Sequence, residues 1–574
     1  MFKLGALPKV STHIVVGAGS AGCVIANRLS ENSANQVVLL ETGPPDDWWR
    51  WKIHMPAALR YNLNDDKYNW YYHSVPQIHL NGKREYHARG RVWGGTSSLN
   101  AMVYVRGHPM DFDRWEQEGA KGWAFKNCLP YFKKAQNHSL AKGKPQTYRG
   151  HDGPLKVMQG SCQNPLHQAL LEAGVQAGCG YTEDMNGYRQ EGVGKIDLTI
   201  DKGKRCSTRD GQPYLRPILE RKNLTVISGA LVTKILMDRQ KAVGIELESF
   251  KGKGQSAQKL YCSSDVVLCA GAINTPQLLL LSGIGPADHL KELNIPLVHH
   301  LPGVGENLQD HLEIFLQQAC TKPVSLYNRS SWRFPHNMIR IGLQWFLTQT
   351  GDGATGHMET GGFVRSTPQV PHPDIQFHFL PAMLVGHTRK TAKQHGFQLH
   401  IGTMRPSSRG TVRLASIDPR KQPLIDPNMI KTEKDRTDFR HVLRVARRLF
   451  AQKSFDQFRG AELVPGSDVQ SAAQIDAFVK QNITTGFHPS CTCKMGSASD
   501  RMAVVDGESM AVHGLENLKI IDASVMPSIT SGNLNAPVIM MAERTADIIM
   551  AKPMLAPENV DIWKPTDDYS AKTG

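Results

Sequence analysis

A glycine-rich turn between two apolar segments near the start of the chain most constrains its fold. The segment 12–16 predicts a buried strand and runs directly into Gly17-Ala-Gly-Ser-Ala-Gly22. A helix with Val24, Ile25 and Leu29 on one side is predicted next, followed by a second strand at 36–41. This succession is typical of dinucleotide-binding proteins. We therefore expect a parallel sheet covered by helices.

Each glycine of this turn has its own task in such a motif. Gly17 allows a tight turn, Gly19 lets the backbone approach a pyrophosphate, and Gly22 lets the helix pack closely on the strand. Glu41 ends the second strand at the distance expected of an acid that holds ribose hydroxyls. A glycine turn without a ligand is the alternative reading. The flanking strands and the acid favour nucleotide binding.

The expected nucleotide-binding domain is assembled from separated pieces of the chain. Two more buried strands are predicted at 265–269 and 518–521, and 574 residues suffice for several domains at roughly 150 residues each. The predicted fold class is α/β, with a Rossmann-like domain and an inserted α+β substrate-binding domain. We expect the first domain to comprise 10–160, 200–311 and 486–552, the second 161–199 and 312–485, and a tail 553–574.

Composition excludes some classes of protein and leaves others open. The net charge of +15 could favour nucleic acid or anionic lipid. Nucleic-acid binding is disfavoured because aromatic and basic residues are not interleaved in any motif. Ten cysteines form no CxxC pair, and only Cys491 and Cys493 beside His488 approach a metal pattern, so no metal is expected. An amphipathic helix at 439–450 is read as a core helix rather than a membrane-docking one.

Further motifs carry a resemblance to a known family. The chain resembles the glucose-methanol-choline family of FAD-dependent oxidoreductases from near residue 12 to near residue 550. Within that family it is most similar to members that oxidise choline, notably in LPGVGENLQDHLE at 301–313 and FHFLP at 377–381. The segments that carry the family resemblance are GRVWGGTSSLN at 90–100, GAINTPQLLLLSGIG at 271–285, FHPSCTCKMG at 487–496, DAS at 522–524 and GNLNAP at 532–537.

The resemblance implies hydride transfer from choline to FAD, and it implies which residues act. His488 is expected to take the hydroxyl proton, because imidazole titrates near neutral pH, while Asn533 donates a hydrogen bond to the developing alkoxide. Glu313 is expected to face the trimethylammonium group, and His378 to position the substrate oxygen. A structural histidine and a strand-end glutamate are the plainer readings of these residues taken singly.

The resemblance also implies a cofactor site and the way FAD is held. Relatives that bind FAD covalently carry a histidine where this chain has Leu99, so noncovalent FAD is expected. Gly94 and Gly95 allow the main chain to lie against a flat ring system. The expected cofactor-binding residues are Gly17, Gly19, Ser20, Gly22, Glu41, Gly95, Ser97, Asn100, Val232, Asp522 and Asn535.

The ammonium cage is the least determined part of the expected site, because the segment 356–360 has no aromatic residue where a choline-oxidising relative has one. Trp70 and Phe487 are the preferred aromatic contacts. Tyr71, Trp345 and Phe379 are available alternatives. Glu359 is either a second negative charge there or an exposed loop acid.

The electron acceptor and the cellular location follow from the resemblance alone. It implies a quinone-type acceptor and peripheral association with the matrix side of the mitochondrial inner membrane. Two alternatives stay open: an oxidase that passes electrons to oxygen, and a flavoprotein that has lost its redox activity.

Overall fold

The computed structural model describes residues 11–141, 143–207, 213–252, 257–329, 331–385 and 390–565. Two main sheets organise these residues, and helices cover them. The longer helices are Ser20–Leu29, Pro109–Gln117, Phe125–Ala135, Pro165–Gln176, Gly271–Leu281, Pro335–Thr348, Glu433–Phe450, Ala472–Asn482 and Asn535–Ile549, and shorter ones are Trp51–His54, Leu59–Leu63 and Ala287–Glu292.

The first sheet, called here the parallel sheet, contains both strands of the glycine-turn motif. All its strands run parallel, and the sequence-distant strand Val266–Leu268 lies beside the first strand His13–Val16. Nearly every residue of the three central strands is buried, as expected of a parallel sheet covered on both faces. In spatial order the strands are Leu224–Ser228, Val37–Glu41, His13–Val16, Val266–Leu268 and Leu518–Ile520.

The second sheet, called here the antiparallel sheet, is built from strands far apart in the chain. Its faces carry alternating apolar and polar residues, so one side packs on helices and the other can line a cavity. In spatial order the strands are Arg459–Val464, Leu312–Cys320, Gly396–Thr403, Ile375–Leu380, Thr360–Val364 and Gly192–Lys195, with Thr484–Thr485 paired to Leu312–Cys320. The division into two domains at the expected bounds stays a prediction.

Smaller sheets complete the described chain. An antiparallel meander directly follows strand Leu224–Ser228 of the parallel sheet in the sequence. Its strands are Ala230–Asp238, Lys241–Ser249 and Gln258–Tyr261. Short pairs and triples are Tyr72–His73 with Tyr86–His87; Gln136–His138, Leu155–Gln159 and Asp197–Leu198; Ile200–Asp201 with Lys204–Arg205; Ile284–Gly285 with His299–His300; Leu384–Val385 with Lys390–Thr391; and Thr411–Arg413 with Leu424–Asp426.

Helix Glu433–Phe450 is a core helix. Phe439, Leu443 and Phe450 are buried in the cluster that includes strand Gly396–Thr403. Its basic side is occupied by ion pairs: Arg440 binds Asp476 and Arg447 binds Glu462. This agrees with the interpretation of the segment as a core helix.

The predicted tail packs on the protein as far as the structure describes it. Lys133 forms an ion pair with Glu558 at 2.7 Å, and the Arg189 guanidinium lies 4.5 Å from the centre of the Trp563 ring. Residues 566–574 of that tail, and residue 10 at the expected domain start, lie outside the described residues. Within the described ranges, we find no helix with the length and apolarity required to cross a bilayer.

Candidate functional site

A long cleft runs from the carboxyl ends of the parallel strands to one face of the antiparallel sheet. It is lined by residues from both sheets and from the loops that join them. Of the residues expected to act in catalysis or to be the preferred contacts of substrate and cofactor, all but Gly22 line it: Gly17, Gly19, Ser20, Glu41, Trp70, Gly95, Ser97, Asn100, Val232, Glu313, His378, Phe487, His488, Asp522, Asn533 and Asn535.

Gly22 is the predicted residue that does not line the cleft. A Cβ atom placed on Gly22 would lie 1.8 Å from the carbonyl oxygen of Gly17, so only glycine lets the helix sit this close to the turn. Gly17 itself has a φ of +102°, which favours glycine. Gly22 thus supports the turn by allowing close packing and does not itself face the cleft.

Helix N-termini converge on the near end of the cleft. Helix Ser20–Leu29 begins after Gly19 without a side-chain cap, so the first backbone N–H groups are available to a ligand. The hydroxyl of Ser20 donates to Oδ1 of Asn535 at 2.7 Å, which brings the start of helix Asn535–Ile549 to the same place. Gly95 packs on Gly19 so tightly that a Cβ there would lie 2.7 Å from the Gly19 Cα. Free N–H donors and a close main-chain cradle fit the pyrophosphate of a dinucleotide.

Glu41 is held at the end of its strand by two backbone donors. The N–H of Ala18 and the N–H of Gly43 donate to its carboxylate at 3.0 and 2.8 Å. Burial raises the pKa of Glu41 to about 7, and these two hydrogen bonds only partly oppose that effect. A carboxylate fixed at this position can accept hydrogen bonds from ribose hydroxyls.

Asp522 and Asn100 anchor two other parts of the cleft wall. Asp522 accepts hydrogen bonds from the backbone N–H of Gly271 and the hydroxyl of Thr275, at 2.8 and 2.6 Å, and so fixes the start of helix Gly271–Leu281. Asn100 accepts from the Arg205 guanidinium at 2.9 Å. These hydrogen bonds hold both side chains in place where they line the cleft.

His488 lies at the other end of the cleft, where the two sheets meet. Its backbone N–H donates to Asp310 at 2.8 Å, and the preceding residue Phe487 has a φ of +63°. Burial, followed by the neighbouring His311, Arg89 and His378, holds the pKa of His488 well below its usual range. The imidazole is therefore neutral near pH 7 and can accept a proton.

A backbone carbonyl determines which nitrogen of His488 carries its hydrogen. Nε2 of His311 is 3.2 Å from the Met404 carbonyl oxygen, which can only accept, so His311 carries its proton on Nε2. Burial also lowers the pKa of His311 to about 4, so its Nδ1 is unprotonated. Nδ1 of His488 lies 3.1 Å from that nitrogen and must donate to it. The lone pair of His488 is consequently on Nε2, which faces Asn533 at 3.2 Å.

Asn533 is oriented by a glutamine on the antiparallel sheet. Nε2 of Gln376 donates to Oδ1 of Asn533 at 3.2 Å, which leaves the Asn533 Nδ2 group directed at His488. The same Gln376 nitrogen is 3.2 Å from Nε2 of His378. Burial lowers the pKa of His378 to about 4. A hydrogen-bond donor, a neutral base and a second imidazole therefore face one small volume.

Glu313 receives a hydrogen bond from His400, which the sequence analysis did not identify. The Gln398 carbonyl oxygen accepts from the backbone N–H of Leu384 at 2.8 Å, so its amide nitrogen must donate to Nε2 of His400, at 2.6 Å. His400 then carries its hydrogen on Nδ1, 3.2 Å from Oε1 of Glu313. This hydrogen bond orients the carboxyl group of Glu313, which lines the cleft.

Only some of the aromatic residues expected in the ammonium pocket line the cleft. Phe487 adjoins His488 and lines the cleft. Trp70 also lines the cleft, and its ring packs against Tyr72, Phe250 and Arg91. The alternatives Tyr71, Trp345 and Phe379 are not among the residues that line the cleft.

Glu359 is neither an exposed loop acid nor part of the cleft wall. It is buried and accepts hydrogen bonds from the Cys162 N–H and the Thr355 hydroxyl, both at 2.8 Å. Its carboxylate ties loops of the antiparallel-sheet domain together. Among the described residues, no cluster of three or more His, Cys, Asp or Glu side chains has a metal-binding arrangement.

Gln376, Gln398 and His400, which the sequence analysis did not identify, share one signal with the predicted His378. Gln376 and His378 occupy alternate positions of an otherwise apolar strand, as do Gln398 and His400 on the paired strand. Because alternate residues of a strand face the same side, polar residues at this spacing indicate a wall of a polar cavity. His311 is likewise two residues before Glu313.

Comparisons with known proteins agree with this geometry. Models of the GMC oxidoreductase family match residues 11–313 and 406–542. The chain is 54% identical to the mitochondrial choline dehydrogenase of Mus musculus over 96% of this chain and 92% of that protein. It is 46% identical to the oxygen-dependent choline dehydrogenase of Brucella suis over 96% of this chain and 97% of that one. An FAD-dependent oxidoreductase from Chaetomium thermophilum superposes with a TM-score of 0.84 at 26% identity, covering 94% of this chain and 99% of that one.

Proposed function

Because the chain belongs to the GMC oxidoreductase family, we propose that it oxidises choline to betaine aldehyde with FAD and passes the electrons to a quinone-type acceptor. The observation that carries the proposal is the convergence of a neutral His488, the amide of Asn533 and the carboxylate of Glu313 on one cleft that also contains a dinucleotide cradle. FAD is the cofactor of this family of flavoenzymes.

The residues of the nucleotide end fit FAD. The N-termini of two helices and the Gly19–Gly95 contact would hold the pyrophosphate, and Glu41 would hold the ribose. When bound, the flavin supplies the acceptor for the hydride that leaves the alcohol carbon. The protein's own part is to hold the alcohol, remove its proton and exclude water.

The proton of the choline hydroxyl is taken by Nε2 of His488. This nitrogen carries the lone pair, and the low pKa keeps it unprotonated at neutral pH. Asn533 cannot accept a proton at its amide nitrogen and instead donates to the oxygen as negative charge develops. His378, bridged to Asn533 through Gln376, offers a further polar contact for the same oxygen.

The quaternary ammonium must be recognised without an N–H group. A protein of net charge +15 repels this cation overall, so a local carboxylate must supply the attraction. Glu313 contributes ~3 kcal/mol at ~5 Å and an effective dielectric constant near 20, before desolvation costs. Phe487 offers an aromatic face to the methyl groups; Trp70, which also lines the cleft, is the second aromatic candidate.

Anaerobic titration with choline tests the proposal. We expect the flavin absorbance of the purified protein to bleach upon addition of choline, since reduced flavin absorbs weakly. A flavin that stays oxidised in excess choline would refute the activity. Comparison of turnover with oxygen alone and with a soluble quinone or phenazine acceptor then separates a dehydrogenase from the oxygen-using activity that the Brucella suis relative's name describes.

We also propose a mitochondrial location, as the name of the Mus musculus relative states for that protein, and more specifically the matrix side of the inner membrane. The basic net charge supports association with anionic lipid.

The affinity for FAD is expected to depend on pH through Glu41. Its pKa of about 7 lies above the ordinary value, so the carboxyl becomes protonated as pH falls below 7. A protonated carboxyl is a weaker hydrogen-bond acceptor for the ribose hydroxyls than a carboxylate. The dissociation constant of the apoprotein for FAD should therefore rise as pH falls below 7, by at most about tenfold per pH unit. Above pH 7 it should stay constant. Quenching of flavin fluorescence measures this, and Glu41→Gln should flatten the profile. A wild-type profile that is already flat between pH 5.5 and 7 would contradict this role.

The flavin is expected to be noncovalently bound because Leu99 cannot form a bond to it. Leu99 is buried and lines the cleft. Acid precipitation of the holoprotein should release all yellow colour into the supernatant. Colour retained in the pellet would mean that another side chain is attached to the flavin.

A further inference from the structure

Helix Pro335–Thr348 carries apolar residues on its outer side. Ile339, Leu343, Phe346 and Leu347 follow one another at helical spacing and are exposed, Leu347 to 80%. The opposite side is also apolar, with Ile341 and Trp345 buried against the protein. A helix that is apolar on both sides is normally buried entirely.

Aromatic residues from another part of the chain extend this surface. The Trp51 ring is 6.0 Å from the Phe346 ring and 5.9 Å from the Tyr61 ring, and Nε1 of Trp332 donates to the Tyr61 hydroxyl at 3.1 Å. Trp48 and Trp49, three and two residues before Trp51, are exposed to 76% and 58%. We call the outer side of helix Pro335–Thr348, Trp332, Trp48, Trp49 and Trp51 the apolar face.

Basic residues outnumber acidic ones around the apolar face, where Asp47 pairs with Arg50 and Asp352 pairs with Arg329. Between Glu313 and Asp352 the sequence contains no acidic residue, but it contains Lys322, Arg329, Arg333 and Arg340. Arg333 and Arg340 are exposed and lie on the helix or just before it. Exposed tryptophan, aliphatic and arginine side chains together are the composition of a segment that lies in the interface of an anionic bilayer.

The apolar face adjoins the catalytic cleft. Helix Leu59–Leu63 separates them: Leu59 and Leu63 line the cleft, while Tyr61 between them contacts Trp51 and Trp332. Trp345 fixes the outer helix to the same wall, since it packs with Met55 and Ala58 and its Nε1 donates to the Gly203 carbonyl at 2.8 Å. A surface that touches the apolar face is therefore one short helix away from the site of oxidation.

We propose that the apolar face docks the protein on an anionic lipid bilayer, beside the cleft. This rests on the proposed function insofar as the cleft oxidises choline and a lipid-soluble acceptor receives the electrons. Leu343, Phe346, Leu347 and the exposed tryptophans enter the headgroup region, and the arginines contact lipid phosphates. Docking here would shorten the path of a quinone-type acceptor between the bilayer and the cleft.

Co-sedimentation of the FAD-loaded full-length protein with vesicles tests the docking surface. Vesicles are made of phosphatidylcholine alone or of phosphatidylcholine with phosphatidylglycerol. We expect wild type to partition onto the anionic vesicles and the variant Leu343→Ser/Leu347→Ser to lose about tenfold or more of that partitioning. Replacement of Arg333 and Arg340 by Gln should weaken binding to anionic vesicles by about fivefold each at low salt.

The matched control is Val175→Ser/Ile417→Ser, which removes two aliphatic residues that are more than half exposed elsewhere and should leave vesicle binding unchanged. Flavin bleaching by choline, measured without vesicles, should be normal in every variant. The docking proposal is overturned if Leu343→Ser/Leu347→Ser sediments like wild type, if wild type binds neither vesicle, or if the substitutions only convert a dimer to a monomer. Absence of bleaching in wild type would instead refute the proposed function and leave the vesicle result valid.

Discussion

The variant His488→Ala is expected to keep its bound FAD and to lose about 10²- to 10⁴-fold in the rate of flavin reduction by choline, the range attributed to a general base. The reason is that Nε2 of His488 carries the lone pair for the hydroxyl proton. The neighbouring donor Asn533 cannot take over that task. Anaerobic stopped-flow absorbance measures the rate, and the flavin spectrum of the purified variant measures cofactor content.

A matched control is His441→Ala, because His441 lies on helix Glu433–Phe450 and does not line the cleft. The flavin of this variant should be reduced by choline at the wild-type rate. Near-normal flavin reduction in His488→Ala would remove His488 from the mechanism. Loss of FAD from that variant would instead assign the residue a structural role in cofactor binding.

The variant Glu313→Gln is expected to lower kcat/KM for choline by about 10²-fold, since ~3 kcal/mol of attraction to the ammonium is removed. Glutamine keeps the size of the side chain and can still accept from His400, which holds Oε1 of Glu313 at 3.2 Å. The geometry therefore changes little while the charge is lost. Steady-state kinetics with a soluble acceptor provide the measurement.

The discriminating substrate is 3,3-dimethylbutan-1-ol, which has the shape of choline without its charge. Glu313→Gln should affect this alcohol by less than about threefold, because the Coulomb attraction is absent from the start. Equal losses for both alcohols would show that Glu313 shapes the pocket and does not recognise charge. The ratio of the two losses is thus the decisive quantity.

The first strands could be predicted because their signal is local. The segment 12–16, the glycine turn and Glu41 lie within thirty residues, and the structure has strands at His13–Val16 and Val37–Glu41. The predicted strands at 265–269 and 518–521 appear as Val266–Leu268 and Leu518–Ile520 of the same sheet. Strand order in the antiparallel sheet was not predictable, since it depends on pairing between residues far apart in sequence.

The difference between local sequence signals and long-range pairing also applies to the candidate site. His488, Asn533 and Glu313 stand in segments that resemble a family and could be named in advance. Their partners could not: Gln376 orients Asn533 and His400 orients Glu313 only because their strands lie in register. The aromatic part of the pocket stays a prediction. The direction of the Trp70 ring depends on Phe250 and Tyr72, which approach it through the tertiary fold.

The order of strands in the parallel sheet has a consequence for biosynthesis. Strand Leu518–Ile520 closes the edge of a sheet whose first strand leaves the ribosome about 500 residues earlier, and Glu543 on the last long helix pairs with Arg28 on the first. At ordinary elongation rates this interval is on the order of a minute. The edge that Leu518–Ile520 covers is that of Val266–Leu268, so it stays open while about 250 residues, roughly half of that interval, are synthesised. Because Ser20 and Asn535 meet only after the last long helix is made, we expect FAD to be retained only once that helix has left the ribosome.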